Sequence, residues 1–217
     1  MFYEIKMVKA IFWDNDGVLV DTEKLYYKAN KEIFSAIGIE LTKEIYIENF
    51  LIKSKGAWHL AGEKGLGEEK IKKLRFERNS LYSKLLHEES RVIDGVEETL
   101  KKLHGKFLMG IVTSSRKDHF DIIHSKTNLL KYFDFTLTSG NFKEPKPDPE
   151  PYLMAIKKSG LRKEECVVVE DSERGLTAAL RAGLKCYVIP TSLTRNSGFS
   201  GATKILSSVT ELIDELV

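Results

Sequence analysis

Short runs of β-forming apolar residues alternate with helix-forming stretches along most of the chain, and this alternation restricts the possible folds more than any other feature. The apolar runs are Val8–Trp13, Phe107–Val112, Phe135–Leu137, Cys166–Val169 and Cys186–Ile189. The helical stretches predicted between the later runs are Asp118–Ser125, Glu150–Ser159 and Glu173–Ala182. Parallel strands need crossover connections, usually helices, which cover the faces of the sheet. The pattern therefore predicts an α/β fold with a parallel sheet and helices on both faces.

The stretch from residue 22 to residue 91 interrupts this alternation and contains only helical patterns. The apolar positions that define its helices are Leu25, Ala29 and Ile33 in the first, and Ile71, Leu74, Leu81 and Leu85 in a later, strongly charged one. Their spacing of three, four or seven residues places them on one helix face. We therefore predict a helical-bundle domain at 22–91, inserted into an α/β core domain formed by residues 1–21 and 92–217.

Composition and charge exclude several classes of protein. The 217 residues carry a formal net charge of +2, and 42% of them are hydrophobic. This near balance of charge argues against a nucleic-acid-binding protein, and no apolar stretch approaches the ~20 residues that span a bilayer. The first residues do not read as a signal peptide. Both cysteines, Cys166 and Cys186, lie at the edges of apolar runs, which predicts reduced thiols and a cytoplasmic protein.

Polar side chains follow four of the predicted strands. These residues are Asp14 and Asp16 after the first run, Thr113, Ser114 and Ser115 after the second, Lys146 in the loop after the third, and Glu170 and Asp171 after the fourth. The carboxyl ends of parallel strands meet at one edge of the sheet, where ligands bind. Carboxylates gathered there repel one another, by about 4 kcal/mol for a pair 4 Å apart at an effective dielectric constant of 20. Because the ligands would all be oxygen atoms, the sequence predicts a Mg²⁺ site.

The same set of side chains is suited to phosphoryl transfer. A lysine, a threonine hydroxyl and the backbone N–H groups of Ser114 and Ser115 could hold a phosphoryl group. An aspartate beside the metal could attack the phosphorus atom as a nucleophile. A second carboxylate two residues farther on could protonate the leaving oxygen and then activate water.

Four segments in order resemble the motifs of the haloacid dehalogenase-like hydrolases. They are Trp13–Val18, Val112–Ser115, Lys146–Pro149 and Val169–Ser172. The chain most resembles the branch with a helical cap, which includes β-phosphoglucomutase-like and phosphoglycolate-phosphatase-like enzymes. The resemblance implies a Rossmann-like core and extends over nearly the whole chain.

The resemblance also implies a role for each matching residue. Asp14 would be the nucleophile and a metal ligand, and Asp16 would be the acid/base, with its backbone carbonyl on the metal. Thr113, Ser114 and Lys146 would bind the phosphoryl group. Asp171 would be a metal ligand, and Glu170 would bind the metal either directly or through water. The true dehalogenases lack a carboxylate at the position of Asp16, so this residue favours phosphoryl transfer.

The sequence predicts a Mg²⁺-dependent phosphatase that acts on a small phosphorylated metabolite through an aspartyl-phosphate. A mutase like β-phosphoglucomutase is the first alternative, but Tyr26 stands where the mutase cap has a histidine, and Trp58-His59 stands where it has Ser-Arg. A metabolite-binding protein without turnover is the second. Lys53, Lys55 and His59 are candidates for substrate specificity, although solvated surface is an alternative for all three. We expect no nucleic-acid or membrane partner, and a monomer or weak homodimer.

Overall fold

A parallel sheet forms the centre of the larger of two units, as expected from the sequence. The structure is a computed structural model that describes residues 7–53 and 55–217. Within this range the strands are β1 Ala10–Trp13, β2 Leu108–Val112, β3 Phe135–Leu137, β4 Cys166–Glu170, β5 Lys185–Val188 and β6 Lys204–Ile205. Their order in the sheet is β3-β2-β1-β4-β5-β6, and every neighbouring pair is parallel.

The prediction of a parallel α/β sheet is confirmed, with small differences in the bounds. The predicted strands at Val8, Phe107 and Cys186 each begin one or two residues away from the observed first residue, and only Phe135–Leu137 has the predicted bounds. The two-residue strand β6 was not predicted. Both of its residues are exposed, so this edge strand has no apolar pattern that could reveal it.

Both faces of the sheet are covered. Successive residues of a strand point to opposite faces, so in β1 Ala10 and Phe12 lie on one face while Ile11 and Trp13 lie on the other. All four are fully buried. Ala10 and Phe12 belong to a core cluster that includes residues of helices α7 Glu150–Ser159 and α8 Glu173–Arg181. This burial on both faces explains why the strands are apolar throughout rather than alternating.

The helices between the strands lie close to their predicted positions. The remaining α-helices of the described chain are α1 Glu23–Ala36, α2 Lys43–Tyr46, α3 Trp58–Glu63, α4 Glu68–Glu89, α5 Val96–Leu103, α6 Lys117–His124 and α9 Leu212–Leu216. A π-helical segment, Ile47–Ile52, continues α2. Helix α7 has the predicted bounds and is followed by Gly160, whose φ of 69° is the left-handed conformation common after helices. None of the described helices meets the length and apolarity that crossing a bilayer requires.

The chain divides into two compact units. One consists of Met1–Val20 and Val92–Val217, and the other of Asp21–Arg91. The smaller unit contains α1–α4, and within it α1 packs against α4. The predicted inserted domain began one residue later, at residue 22.

Packing inside the smaller unit follows the predicted helix faces only in part. Leu25, Ala29, Leu74 and Leu85 are buried, whereas Ile33, Ile71 and Leu81 are half-buried. A polar contact completes the packing, because Arg78 of α4 donates hydrogen bonds to Tyr26 Oη at 2.6 Å and to Asn30 Oδ1 at 2.9 Å.

Strand register explains why the polar side chains can meet. Trp13, the last residue of β1, pairs with Ile111 of β2 and with Val169 of β4. The three central strands therefore end level with one another, and Asp14, Thr113 and Glu170 lie at the same edge of the sheet.

Candidate active site

Lys146 connects the ends of three strands. Its Nζ donates to Asp14 Oδ1 at 2.7 Å, to Glu170 Oε1 at 2.6 Å and to the carbonyl oxygen of Val112 at 2.8 Å. The side chain is almost fully buried. Buried charges are stable only when they are paired and hydrogen-bonded, and Lys146 has two carboxylate partners. The loop after β3 therefore places a cation between two of the predicted acidic residues.

Glu170 is fully buried, and both of its carboxylate oxygens accept hydrogen bonds. Besides Lys146, Oε1 accepts from the Tyr152 hydroxyl at 2.7 Å, and Oε2 accepts from the backbone N–H of Asp171 and the Ser172 hydroxyl, both at 3.2 Å. The Glu170 carboxylate therefore joins Lys146, Tyr152, Asp171 and Ser172 through hydrogen bonds. Sequence reasoning missed Tyr152, because on the apolar face of α7 it does not differ from an ordinary core aromatic residue.

Asp16 lies in a second group of hydrogen bonds. Its Oδ2 accepts from the Ser115 hydroxyl at 2.6 Å, from the Thr113 hydroxyl at 3.2 Å and from Asn15 Nδ2 at 3.3 Å. The predicted phosphate-binding residue Ser114 lies beside this group, and its buried Oγ has no hydrogen bond to the described residues. Of the two serines in this loop, it is Ser115 and not Ser114 whose hydroxyl contacts Asp16.

Asp14, Glu170 and Asp171 form a buried acidic cluster. One carboxylate oxygen from each lies within 4.8 Å of the others. Close packing supports this arrangement, because a Cβ added at Gly17 would lie 2.7 Å from Asp171 Cγ. The φ of Gly17, 83°, is also one that residues with side chains rarely adopt. The carboxylate of Asp16 is not part of this cluster, and the metal contact expected of its backbone carbonyl stays a prediction.

The pKa values of Asp14, Glu170 and Lys146 are shifted by different balances of burial and neighbouring charge. Burial raises the pKa of Asp14 to about 7, Lys146 opposes this rise, and Glu170 and Asp16 add to it. Burial also acts to raise the pKa of Glu170, but Lys146 and the Tyr152 hydroxyl outweigh burial and lower it. Burial acts to lower the pKa of Lys146, but the two carboxylates outweigh it and raise the pKa. Glu170 and Lys146 are therefore a stable ion pair, and Asp14 is the carboxylate that a further cation would help to ionise.

The three candidate specificity residues lie in the smaller unit. Lys53 pairs with Glu48 at 2.6 Å, and Lys53, Lys55 and His59 are all exposed. Trp58 is buried, with its ring centroid 4.8 Å from that of Phe34. This burial indicates a packing role for Trp58, whereas the three polar residues remain candidates for substrate specificity.

Comparisons with known proteins agree with these features. The family model described as haloacid dehalogenase-like hydrolase matches residues 11–189. The Bacillus subtilis protein YhcW is 31% identical over 211 residues, covering 95% of this chain and 94% of its own. The phosphorylated carbohydrates phosphatase of Thermotoga maritima is 30% identical over 183 residues, covering 82% of this chain and 83% of its own.

A solved structure extends the similarity to the fold of both units. The crystal structure of a CbbY variant from Rhodobacter sphaeroides in complex with xylulose-(1,5)bisphosphate is similar to this chain with a TM-score of 0.80 and 26% identity. The match covers 95% of this chain and 96% of that one.

Proposed function

This chain belongs to the haloacid dehalogenase-like hydrolases, and on that premise we propose that it is a metal-dependent phosphatase of a small phosphomonoester. The family match over residues 11–189 confirms the resemblance of its four motifs. One observation carries the proposal, namely that Lys146 and the cluster of Asp14, Glu170 and Asp171 meet at one edge of the sheet. A buried cation beside several carboxylates is suited to stabilising charge on a phosphoryl group.

The donor set fits Mg²⁺. All candidate ligands are carboxylate or carbonyl oxygens, which Mg²⁺ prefers, and Mg²⁺ usually takes only one or two carboxylates from the protein. Asp14, Asp171 and the backbone carbonyl of Asp16 are the proposed direct ligands. Glu170 accepts four hydrogen bonds, which favours contact through a water molecule. The bound ion would neutralise charge on the phosphoryl oxygens and favour the ionised form of Asp14.

The protein side chains supply nucleophile, acid and base. Asp14 Oδ attacks the phosphorus atom, the bond from phosphorus to the ester oxygen breaks, and an aspartyl-phosphate forms on Asp14. Asp16 gives a proton to the leaving oxygen. Asp16 then takes a proton from a water molecule, which attacks the aspartyl-phosphate and releases inorganic phosphate and free Asp14. Thr113 and Lys146 hold the phosphoryl oxygens through both steps, together with Ser114.

We infer that the substrate is a phosphorylated carbohydrate or a similar metabolite. A relative from Thermotoga maritima is named for phosphatase activity on phosphorylated carbohydrates, and one from Escherichia coli, 25% identical over 191 residues, is named fructose-1-phosphate phosphatase. We propose that the leaving group of the substrate is recognised by Lys53, Lys55 and His59. The cytoplasmic location and the monomeric or weakly dimeric state also remain predictions.

A phosphate-release screen tests this function. The purified protein is incubated with a panel of sugar phosphates and p-nitrophenyl phosphate, with Mg²⁺ and with a chelator. We expect Mg²⁺-dependent release of phosphate, lost in Asp14→Asn and kept in Asp118→Asn, whose side chain forms an exposed pair with Arg116. Equal activity of Asp14→Asn and wild type would refute the nucleophile, and activity that survives chelation would refute the metal. Turnover only with a bisphosphate activator, with little phosphate released, would favour the mutase.

A further inference from the structure

A chain of three buried or partly buried side chains leads from helix α6 to Asp16. His124 Nδ1 lies 2.8 Å from Thr127 Oγ1, and its Nε2 lies 2.9 Å from Asn15 Oδ1. Asn15 Nδ2 in turn lies 3.3 Å from Asp16 Oδ2. The contact between His124 and Asn15 joins residues 109 positions apart, so it is a product of the fold and not of local sequence.

The chemistry of the four groups gives these hydrogen bonds one direction. The Asp16 carboxylate can only accept, so Asn15 donates through Nδ2 and presents Oδ1 to His124. Because Oδ1 can only accept, His124 must donate from Nε2. Its unprotonated Nδ1 then accepts from the Thr127 hydroxyl. The hydrogen bonds from Thr127 through His124 and Asn15 are therefore all donated in the direction of Asp16, and they hold His124 in a single tautomer.

Packing holds these hydrogen-bonded side chains in place. Asn15 is 0% exposed and His124 is 6% exposed, and the His124 ring lies 4.4 Å from the Phe120 ring between centroids. Burial lowers the pKa of His124 to about 4, so the imidazole is neutral near pH 7, as the tautomer requires. The backbone carbonyl of Asn15 also accepts from the N–H groups of Leu19 and Val20, which anchors the turn that carries Asp16.

The hydrogen bond from Asn15 to Asp16 Oδ2, unlike that from Thr113, comes from outside the proposed phosphate-binding residues. Thr113 is a proposed ligand of the phosphoryl group, and its hydroxyl cannot keep the same donor role when substrate is bound. Ser115 lies on the same loop after β2. Asn15 is fully buried and does not belong to the proposed phosphate-binding set, so its bond can persist through the reaction.

We propose that His124 is a positioning residue for Asp16, which acts by holding the Asn15 amide in the orientation that donates to the Asp16 carboxylate. The proposal rests on the proposed function, in which Asp16 is the acid and base. Loss of this support lets the carboxylate rotate away from the leaving oxygen and from the attacking water.

Rapid-mixing kinetics with p-nitrophenyl phosphate separate the two steps. Nitrophenolate leaves readily without a proton, so formation of the aspartyl-phosphate needs little help from Asp16, whereas its hydrolysis needs Asp16 as base. In His124→Leu we expect a nitrophenolate burst at the wild-type rate, followed by steady-state turnover that is about 10-fold slower. KM stays unchanged. His124→Gln, which keeps an N–H group able to reach Asn15, recovers most of the rate.

Two further variants make the result decisive. Phe120→Leu disturbs packing on the same helix but keeps the hydrogen bonds, and it should turn over like wild type. Thr127→Val removes only the donor to Nδ1 from a half-buried position. It should slow steady-state turnover in the same way as His124→Leu, but by a smaller factor. The proposal can therefore still be tested if His124→Leu does not fold.

Three outcomes would overturn the role of His124. They are wild-type turnover in His124→Leu and Thr127→Val, equal loss of burst and turnover, and an equal loss in Phe120→Leu. The proposed function is tested separately by Asp16→Asn. If that variant turned over like wild type, Asp16 would not be the acid and base, and the support from His124 would have no catalytic consequence.

Discussion

At the scale of single residues, the site depends on keeping one buried carboxylate charged. Glu170 accepts from Lys146, Tyr152, Ser172 and the backbone of Asp171. A buried ion pair is weak support for stability by itself, but removing one of its partners is costly, because the other charge remains buried. The tyrosine and serine hydroxyls therefore matter as well as the lysine.

Replacing Tyr152 by phenylalanine should destabilise the protein. The variant keeps the ring but removes a donor to a buried carboxylate, which we expect to lower the free energy of unfolding by about 2 kcal/mol. Urea unfolding monitored by circular dichroism measures the change. The matched control is Tyr132→Phe, which removes a 3.4 Å contact to Glu97 and should change stability by less than about 0.5 kcal/mol. Equal effects of the two substitutions would contradict the importance assigned to Glu170.

His124 should make the protein less stable in mild acid. Its pKa is about 4 in the folded protein, below the value of 6.5 for an exposed histidine, because of burial. Between these values the unfolded chain binds a proton that the folded protein does not, so the free energy of unfolding decreases as the pH falls from 6.5 toward 4.

The size of this effect can be measured against a variant that does not titrate. Between pH 7 and pH 5, His124→Gln should lose about 2 kcal/mol less stability than wild type. Urea unfolding at the two pH values gives this difference, in which other titrating groups largely cancel. Identical pH dependence in His124→Gln and wild type would refute the assignment.

At the scale of elements, the close approach of α8 to the end of β4 shapes the site. Ser172 begins α8 by accepting a hydrogen bond from the N–H of Gly175 at 3.2 Å, while its hydroxyl donates to Glu170. A Cβ added at Gly175 would overlap the Glu170 carboxylate. This glycine has no left-handed conformation to explain it. Its role is to let the first turn of α8 lie against a buried acid.

Replacing two helical glycines by alanine should therefore change the stability of the protein in opposite directions. Gly175→Ala must displace Glu170 or α8, and we expect it to lower the free energy of unfolding by about 3 kcal/mol. Gly62 in α3 has open space around its Cβ position, so Gly62→Ala should raise stability by about 0.5–1 kcal/mol through helix propensity alone. Chemical denaturation of both variants provides the comparison. A harmless alanine at Gly175 would show that α8 does not depend on this contact.

At the scale of the whole molecule, the acidic cluster should couple metal binding to folding. Asp14 comes from the start of the chain and Glu170 and Asp171 from its last third, so the ligands come together only when the sheet has formed. A ligand that binds the folded state alone stabilises it by about 2.7 kcal/mol at 100 times its Kd.

Mg²⁺ should accordingly raise the melting temperature. For a protein of this size the increase at saturating Mg²⁺ should be about 5–10 °C, and thermal unfolding with Mg²⁺ and with a chelator measures it. Asp171→Asn should remove most of the increase, whereas Asp118→Asn should retain it. An unchanged melting temperature on adding Mg²⁺ to wild type would refute a metal site in this cluster.

The sequence by itself determined the parallel α/β sheet and the gathering of polar side chains at one edge, because apolar runs, helical spacing and residues at strand ends are local patterns. The candidate residues Asp14, Asp16, Lys146, Glu170 and Asp171 lie together for this reason, although their catalytic roles remain proposals.

Only the tertiary structure decided which side chains touch across the fold. Tyr152 reaches Glu170, His124 reaches Asn15, and Ser115 rather than Ser114 contacts Asp16 through its hydroxyl. Each contact depends on how a helix is rotated against the sheet and how neighbouring strands are aligned. Periodicity shows which face of an element is buried, but a buried tyrosine or histidine has the same pattern whether it packs in the core or supports a catalytic carboxylate.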